Sequence, residues 1–74
     1  MPCLLTVLED QGGTYTALIV DISETGIALV ASESVPPDTL VSLKYETSFI
    51  MGEVRNCRRS RNGFRIGVEI VGRD

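Results

Sequence analysis

The chain has 74 residues, of which 43 % are apolar and 23 % charged, with a net charge of −3 at neutral pH. That length makes one domain, residues 1–74, near the lower limit for a self-sufficient core, and the composition excludes a disordered chain. No apolar run approaches the roughly 18 residues that a bilayer-spanning helix needs, and no charged leader precedes an apolar segment.

Cys3 and Cys57 are the only cysteines and there is no histidine. With no CxxC spacing this argues against a metal site and gives no support to a disulfide. We read both as small apolar residues of a reducing, cytoplasmic setting. The net charge hides an asymmetry. Met1 to Glu53 holds eight acids and a single base, Lys44, whereas Val54 to Asp74 holds six arginines against Glu69 and Asp74. A chain that is acidic overall is a poor general binder of DNA or RNA, because phosphate contacts dominate that affinity.

In chain order, Cys3, Leu5 and Val7 alternate with Leu4, Thr6 and Leu8, which predicts a strand apolar on both sides. Gln11-Gly12-Gly13 is the first turn. Thr14 to Ile22 follows, with Thr16, Leu18, Val20 and Ile22 on one face and Tyr15, Ala17, Ile19 and Asp21 on the other. Asp21–Gly26 is a tight corner and Ile27 to Ala31 a third strand. Ser32 to Asp38 contains Pro36-Pro37, which forbids helix and regular pairing, so it is a loop. Val41, Leu43 and Tyr45 alternate with Ser42, Lys44 and Glu46 in a half-buried strand. Thr47-Ser48 turns into strand five, Phe49 to Arg58. Arg59 to Gly63 closes a hairpin on the strong Asn62-Gly63 signal. In strand six Phe64, Ile66, Val68 and Ile70 face one way, and Arg65, Gly67 and Glu69 the other. Six short strands with no helical period call for an all-β fold, a closed or nearly closed antiparallel barrel that leaves no exposed edges.

The corner reads Val20-Asp21-Ile22-Ser23-Glu24-Thr25-Gly26, a D-x-S-x-x-G pattern. Asp and Ser suit a turn because their oxygens bond nearby backbone N–H groups, and Gly26 is free to take a positive φ. The same residues carry a resemblance. D-x-S-x-x-G, followed by Ile50-Met51-Gly52-Glu53-Val54-Arg55 and by Gly63-Phe64-Arg65-Ile66-Gly67-Val68-Glu69-Ile70, resembles the motif turn and the last two barrel strands of PilZ domains, over about Leu4 to Val71.

That resemblance implies a six-stranded antiparallel barrel and half of a site for the bacterial second messenger cyclic di-GMP. Asp21 and Ser23 would hydrogen-bond a guanine or backbone edge of the ligand, and Gly26 would permit its close approach. A carboxylate suits guanine, which offers two N–H donors. The family's other half-site is an R-x-x-x-R segment before the first strand; here Met1-Pro2 leads straight into that strand and no arginine precedes Arg55. The family's usual C-terminal helix is also without room after Gly72-Arg73-Asp74, which leaves a barrel mouth open or covered by a partner chain.

Arg55, Arg58, Arg59 and Arg61 are therefore the candidates for phosphate or partner contacts, and Arg55/Arg59 and Arg61/Arg65 share the R-x-x-x-R spacing. A simple strand count puts the Asp21–Gly26 turn and the Arg59–Gly63 hairpin at opposite barrel ends. The bland reading of these arginines is a solvated basic hairpin.

No enzyme is expected: Ser23 has no histidine base, Glu9-Asp10 looks like solvation, and no cofactor or metal is implied. Tyr15, Tyr45, Phe49 and Phe64 are too scattered for a base-stacking platform. Two functions remain. One is a cyclic di-GMP-type signalling domain whose binding is weakened without the N-terminal arginines; the other is a nucleotide-independent module that docks a protein partner. A domain this small also leads us to expect a homo-oligomer or a covering neighbour.

Overall fold

A computed structural model describes residues 1–9 and 12–73. The chain forms six strands: β1 (Pro2–Val7), β2 (Thr14–Ile22), β3 (Gly26–Ala31), β4 (Leu40–Tyr45), β5 (Ser48–Ser60) and β6 (Gly63–Arg73). They close into an antiparallel barrel, as the alternating sequence led us to expect, in the order β1-β2-β3-β6-β5-β4. Among the described residues no helix is long and apolar enough to cross a membrane.

The inward residues of each strand build the core. Leu5, Leu29, Val41, Leu43, Val54 and Ile66 are fully shielded from solvent. Cys3 is buried with them and Cys57 packs against them, so both cysteines fill space, unpaired. Burial pushes the Cys3 thiol above its ordinary pKa.

The barrel is not a simple meander, because β3 pairs β6 rather than β4. The chain crosses from β3 to β4 through residues 32–39. There Val35 enters the core and the loop zips onto β5, the Asp38 amide donating to the Val54 carbonyl and the Val54 amide to the Thr39 carbonyl. Pro36-Pro37 removes two donors that the loop does not need, and Asp38 takes a left-handed φ of 70°, which aspartate tolerates. Val35 and Phe64 thus pack at the barrel end where the β5–β6 hairpin projects.

Several boundaries differ from expectation. β5 and β6 are longer at both ends, because cross-strand pairing carries them out to a two-residue turn at Arg61-Asn62. Arg59 and Ser60, expected in the hairpin loop, are consequently ladder residues, as Arg58 is. The β4–β5 turn is Glu46-Thr47, with Glu46 at φ 56°. The expected Gln11–Gly13 turn and the Glu9-Asp10 pair fall partly outside the described residues.

A larger correction concerns facing. Strict alternation puts Asp21 on the core side with Ala17 and Ile19. Instead a β-bulge intervenes: Ile19 pairs Leu29, and the next pair is Asp21 with Ala28, leaving Val20 extra. The bulge reverses the parity of the strand, so Ala17 and Ile19 stay buried while Asp21 emerges on the outer wall. β5 does the same. Val54 pairs Val68 and Asn56 pairs Gly67, leaving Arg55 as the extra residue, outside and exposed.

Candidate functional site

The β2–β3 corner is built by Ser23. Its amide donates to the Gly26 carbonyl at 2.8 Å, and its hydroxyl accepts from the Gly26 amide at 3.1 Å and from the Thr25 amide at 3.4 Å. The hydroxyl also lies 3.2 Å from the Gly26 carbonyl, to which it donates. Ser23 therefore shapes the turn, as short hydroxyl side chains do. It remains exposed, as does Asp21.

Gly26 is not at positive φ, contrary to the expectation from turn chemistry. It begins β3 opposite Glu69, and a Cβ there would sit 3.2 Å from the Val68 carbonyl oxygen. The close approach of β6, rather than a left-handed backbone, is what a side chain at this position would strain. The Ile70 amide ties β6 to the corner by donating to the Thr25 carbonyl at 2.9 Å.

Pairing of β3 with β6, and of β6 with β5, then assembles the site. Asp21, Ser23, Gly26, Arg55, Asn56 and Glu69 border one open groove of about 430 Å³ on the outer wall. Binding pockets for small molecules typically fall within about 300–1,000 Å³. The Asn56 carboxamide lies across Gly67, where a Cβ would meet it at 2.8 Å, so the groove floor is flat only because residue 67 is glycine.

The electrostatics are not those of a free cation. The Arg55 Nε–H donates to Glu69 Oε1, a second guanidinium nitrogen also contacts that oxygen, and Nη1 lies 3.2 Å from Glu53 Oε1. The hydrogen bond to Glu69 is the first cause holding the guanidinium pKa above its ordinary value. Among the described residues Arg55 is the one arginine bordering the groove, and its guanidinium is held by two carboxylates: Glu69, which also lines the groove, and Glu53.

The other arginines go elsewhere. Gly26 is level with Glu69 while Ala31 is level with Phe64, so the motif corner and the β5–β6 hairpin sit at opposite ends of β3 and β6. Arg59, paired with Phe64, stacks over its ring at 5.6 Å. Arg61 occupies the turn, and Arg58 stands directly opposite Arg65. Neither R-x-x-x-R spacing gathers its two arginines at one place. Sequence reasoning did not single out Glu69, Glu53 or Asn56. The outward parity of Glu69 was readable in β6, but its proximity to Gly26 depends on β3 pairing β6.

The chain is thus a small antiparallel barrel with a polar groove at its D-x-S-x-x-G corner. A protein-family model described as PilZ domain matches residues 1–74, and the chain belongs to the PilZ domain family. Domains of this family are in general non-catalytic and bind cyclic di-GMP in signalling. Searches among curated proteins and among solved structures found no match to the chain.

Proposed function

We propose that the groove between the β2–β3 corner and the β5 bulge is a weak cyclic di-GMP site in a signalling domain. The observation that carries this reading is the pair of bulges. The first turns Asp21 outward onto a groove beside Gly26, where alternation would have hidden it; the second leaves Arg55, already outward next to buried Val54, as an extra residue on the same groove. β-Bulges recur beside functional sites because they re-aim side chains.

In this reading the Asp21 carboxylate accepts from the guanine N–H edge, Ser23 holds the corner in shape, and Gly26 admits the ligand. Arg55 offers a planar fork to a phosphate. Binding is weak because Arg55 must exchange Glu69 and Glu53 for that phosphate. A reducing cytoplasm suits the two unpaired cysteines.

The test is calorimetric titration of cyclic di-GMP at low salt into the chain and into Asp21→Ala. A dissociation constant of about 10–100 μM, lost in the variant, is the expected result. Absence of heat up to about 1 mM ligand, roughly 4 kcal/mol of binding energy, sinks it. The occupied state of Arg55 favours a second reading in that event, a nucleotide-independent module that docks a protein.

A further inference from the structure

The outer wall of β5, β6 and β3 carries three cross-strand rows of opposite character. At the hairpin end, Arg58, Arg65 and Val30 lie side by side. In the middle lie Asn56, Gly67 and Ala28. At the corner end lie Glu53, Glu69 and Gly26. Two arginines directly opposite each other on adjacent strands repel, and such pairs are normally avoided. Among the described residues no carboxylate lies within ion-pair distance of Arg58 or Arg65. The corner row has the converse imbalance: Glu53 and Glu69 outnumber Arg55, while Asp21 is level with the middle row, paired with Ala28.

We infer that this wall is the face of a two-fold homodimer whose axis runs along the Asn56–Gly67–Ala28 row. Rotation by 180° about that line turns the wall over and exchanges its ends. Arg65 of one copy then meets Glu69 of the other, and Arg58 meets Glu53, each pairing occurring twice. The charged rows lie four residues apart along β6, about 13 Å, so the like-charged rows stay separated. The middle row suits the axis because Gly67 and Ala28 add almost no height and the Asn56 carboxamide lies flat across Gly67. The patch is complementary to itself, as an isologous contact requires. No other partner is needed to satisfy it: the acids that the arginines lack stand on the same wall.

The dimer needs no ligand, and because Ala28, Asn56 and Gly67 on its axis also line the groove, the second copy covers the place proposed for the ligand. Arg65 of the second copy arrives at Glu69 and competes there with Arg55, so dimer formation and ligand binding at the groove exclude each other.

The experiment is light scattering at low salt across a concentration series. The wild-type chain should show a mass of twice 8.1 kDa, falling back in 1 M NaCl, where the screening length is about 3 Å. Arg58→Glu with Arg65→Glu should raise the dimer dissociation constant about tenfold or more, since like charges then face each other. Mixing that chain with Glu53→Arg/Glu69→Arg should restore a dimer. A cross-link covers the event that a charge variant fails to fold: Asn56→Cys, on the axis, should oxidise to a covalent dimer, and Thr16→Cys, on the opposite wall, should not. A monomeric wild-type chain at low salt, a dimer indifferent to the arginine reversals, or equal cross-linking at residues 16 and 56 overturns the inference.

Discussion

Asp21 and Arg55 border the same groove although they lie on strands that do not touch, because a β-bulge precedes the first and contains the second. Each bulge costs a ladder pairing and leaves a charged residue outside. Asp21 consequently makes no contribution to the fold that its neighbours depend on, whereas Ser23 two residues later holds the corner. Asp21→Ala is expected to change stability by less than about 0.5 kcal/mol, as exposed substitutions do. Ser23→Ala removes the side-chain acceptor of two turn amides and should cost about 1 kcal/mol. Chemical denaturation of the two variants, beside ligand titration, separates the roles: loss of binding at wild-type stability is expected for Asp21→Ala alone.

The β5–β6 hairpin depends on Gly63. Its φ of 137° is one that residues with side chains avoid, and a Cβ would lie 2.3 Å from the Ala31 carbonyl oxygen. Gly63→Ala must therefore move the hairpin against the end of β3, where Phe64 packs. We expect a loss of about 1–3 kcal/mol. For a domain of this size each kcal/mol lowers the melting temperature by about 4–8 °C. A thermal scan showing an unchanged midpoint would mean that the hairpin does not dock as described.

Stability should decline on the alkaline side for a reason located at Cys3. Burial raises the folded-state pKa of this thiol above its ordinary value of 9.0. The unfolded chain therefore gives up the proton first as pH rises, and linkage makes folding less favourable from about pH 9 upward. Below that range both states keep the proton and the thiol has no effect. Cys3→Ala should flatten the part of the decline that begins near pH 9. Measuring unfolding free energy from pH 7 to 10 in both chains tests this. An identical slope would place the alkaline loss on other groups, Tyr45 among them, whose phenol is also raised, first by burial.

The barrel was legible in the sequence because alternation is a period-two signal that one buried face enforces. The lines Phe64-Ile66-Val68 and Val41-Leu43 name inward residues directly. The corner was legible because Asp, Ser and Gly have few other uses in combination. What alternation could not give was any position where the period breaks. Val20 and Arg55 look like ordinary strand residues, yet each shifts the parity of everything after it, which moves Asp21 from core side to surface. Nor does local sequence tell which strands pair across the barrel. Glu69 meets the motif corner only because the chain crosses from β3 to β4 and leaves β6 to close on β3. Long-range pairing also decided the arginines, sending Arg59 to Phe64 and leaving Arg55 in the groove.

Glu69 occupies the place where an anionic ligand would need its cation, and this gives a prediction with a sign opposite to most binding-site substitutions. Arg55 holds Glu69 through two contacts and Glu53 through one. Both acids are solvent-accessible, and exposed ion pairs contribute about 0–1 kcal/mol to stability. Glu69→Gln should therefore leave the melting temperature almost unchanged while releasing the guanidinium. It also takes a negative charge from beside the phosphate. At about 4 Å in a water-like medium one such charge is worth roughly 1 kcal/mol, a fivefold gain in cyclic di-GMP affinity. Arg55→Ala should abolish binding whether residue 69 is Glu or Gln, because no other arginine borders the groove. Titrations belong at protein concentrations well below the dimer dissociation constant, since Glu69 also faces Arg65 in the proposed dimer. Tighter binding by Glu69→Gln that disappears with Arg55→Ala would identify Arg55 as the phosphate contact. Weaker binding by Glu69→Gln would mean that Glu69 itself touches the ligand, as a second carboxylate on the guanine edge.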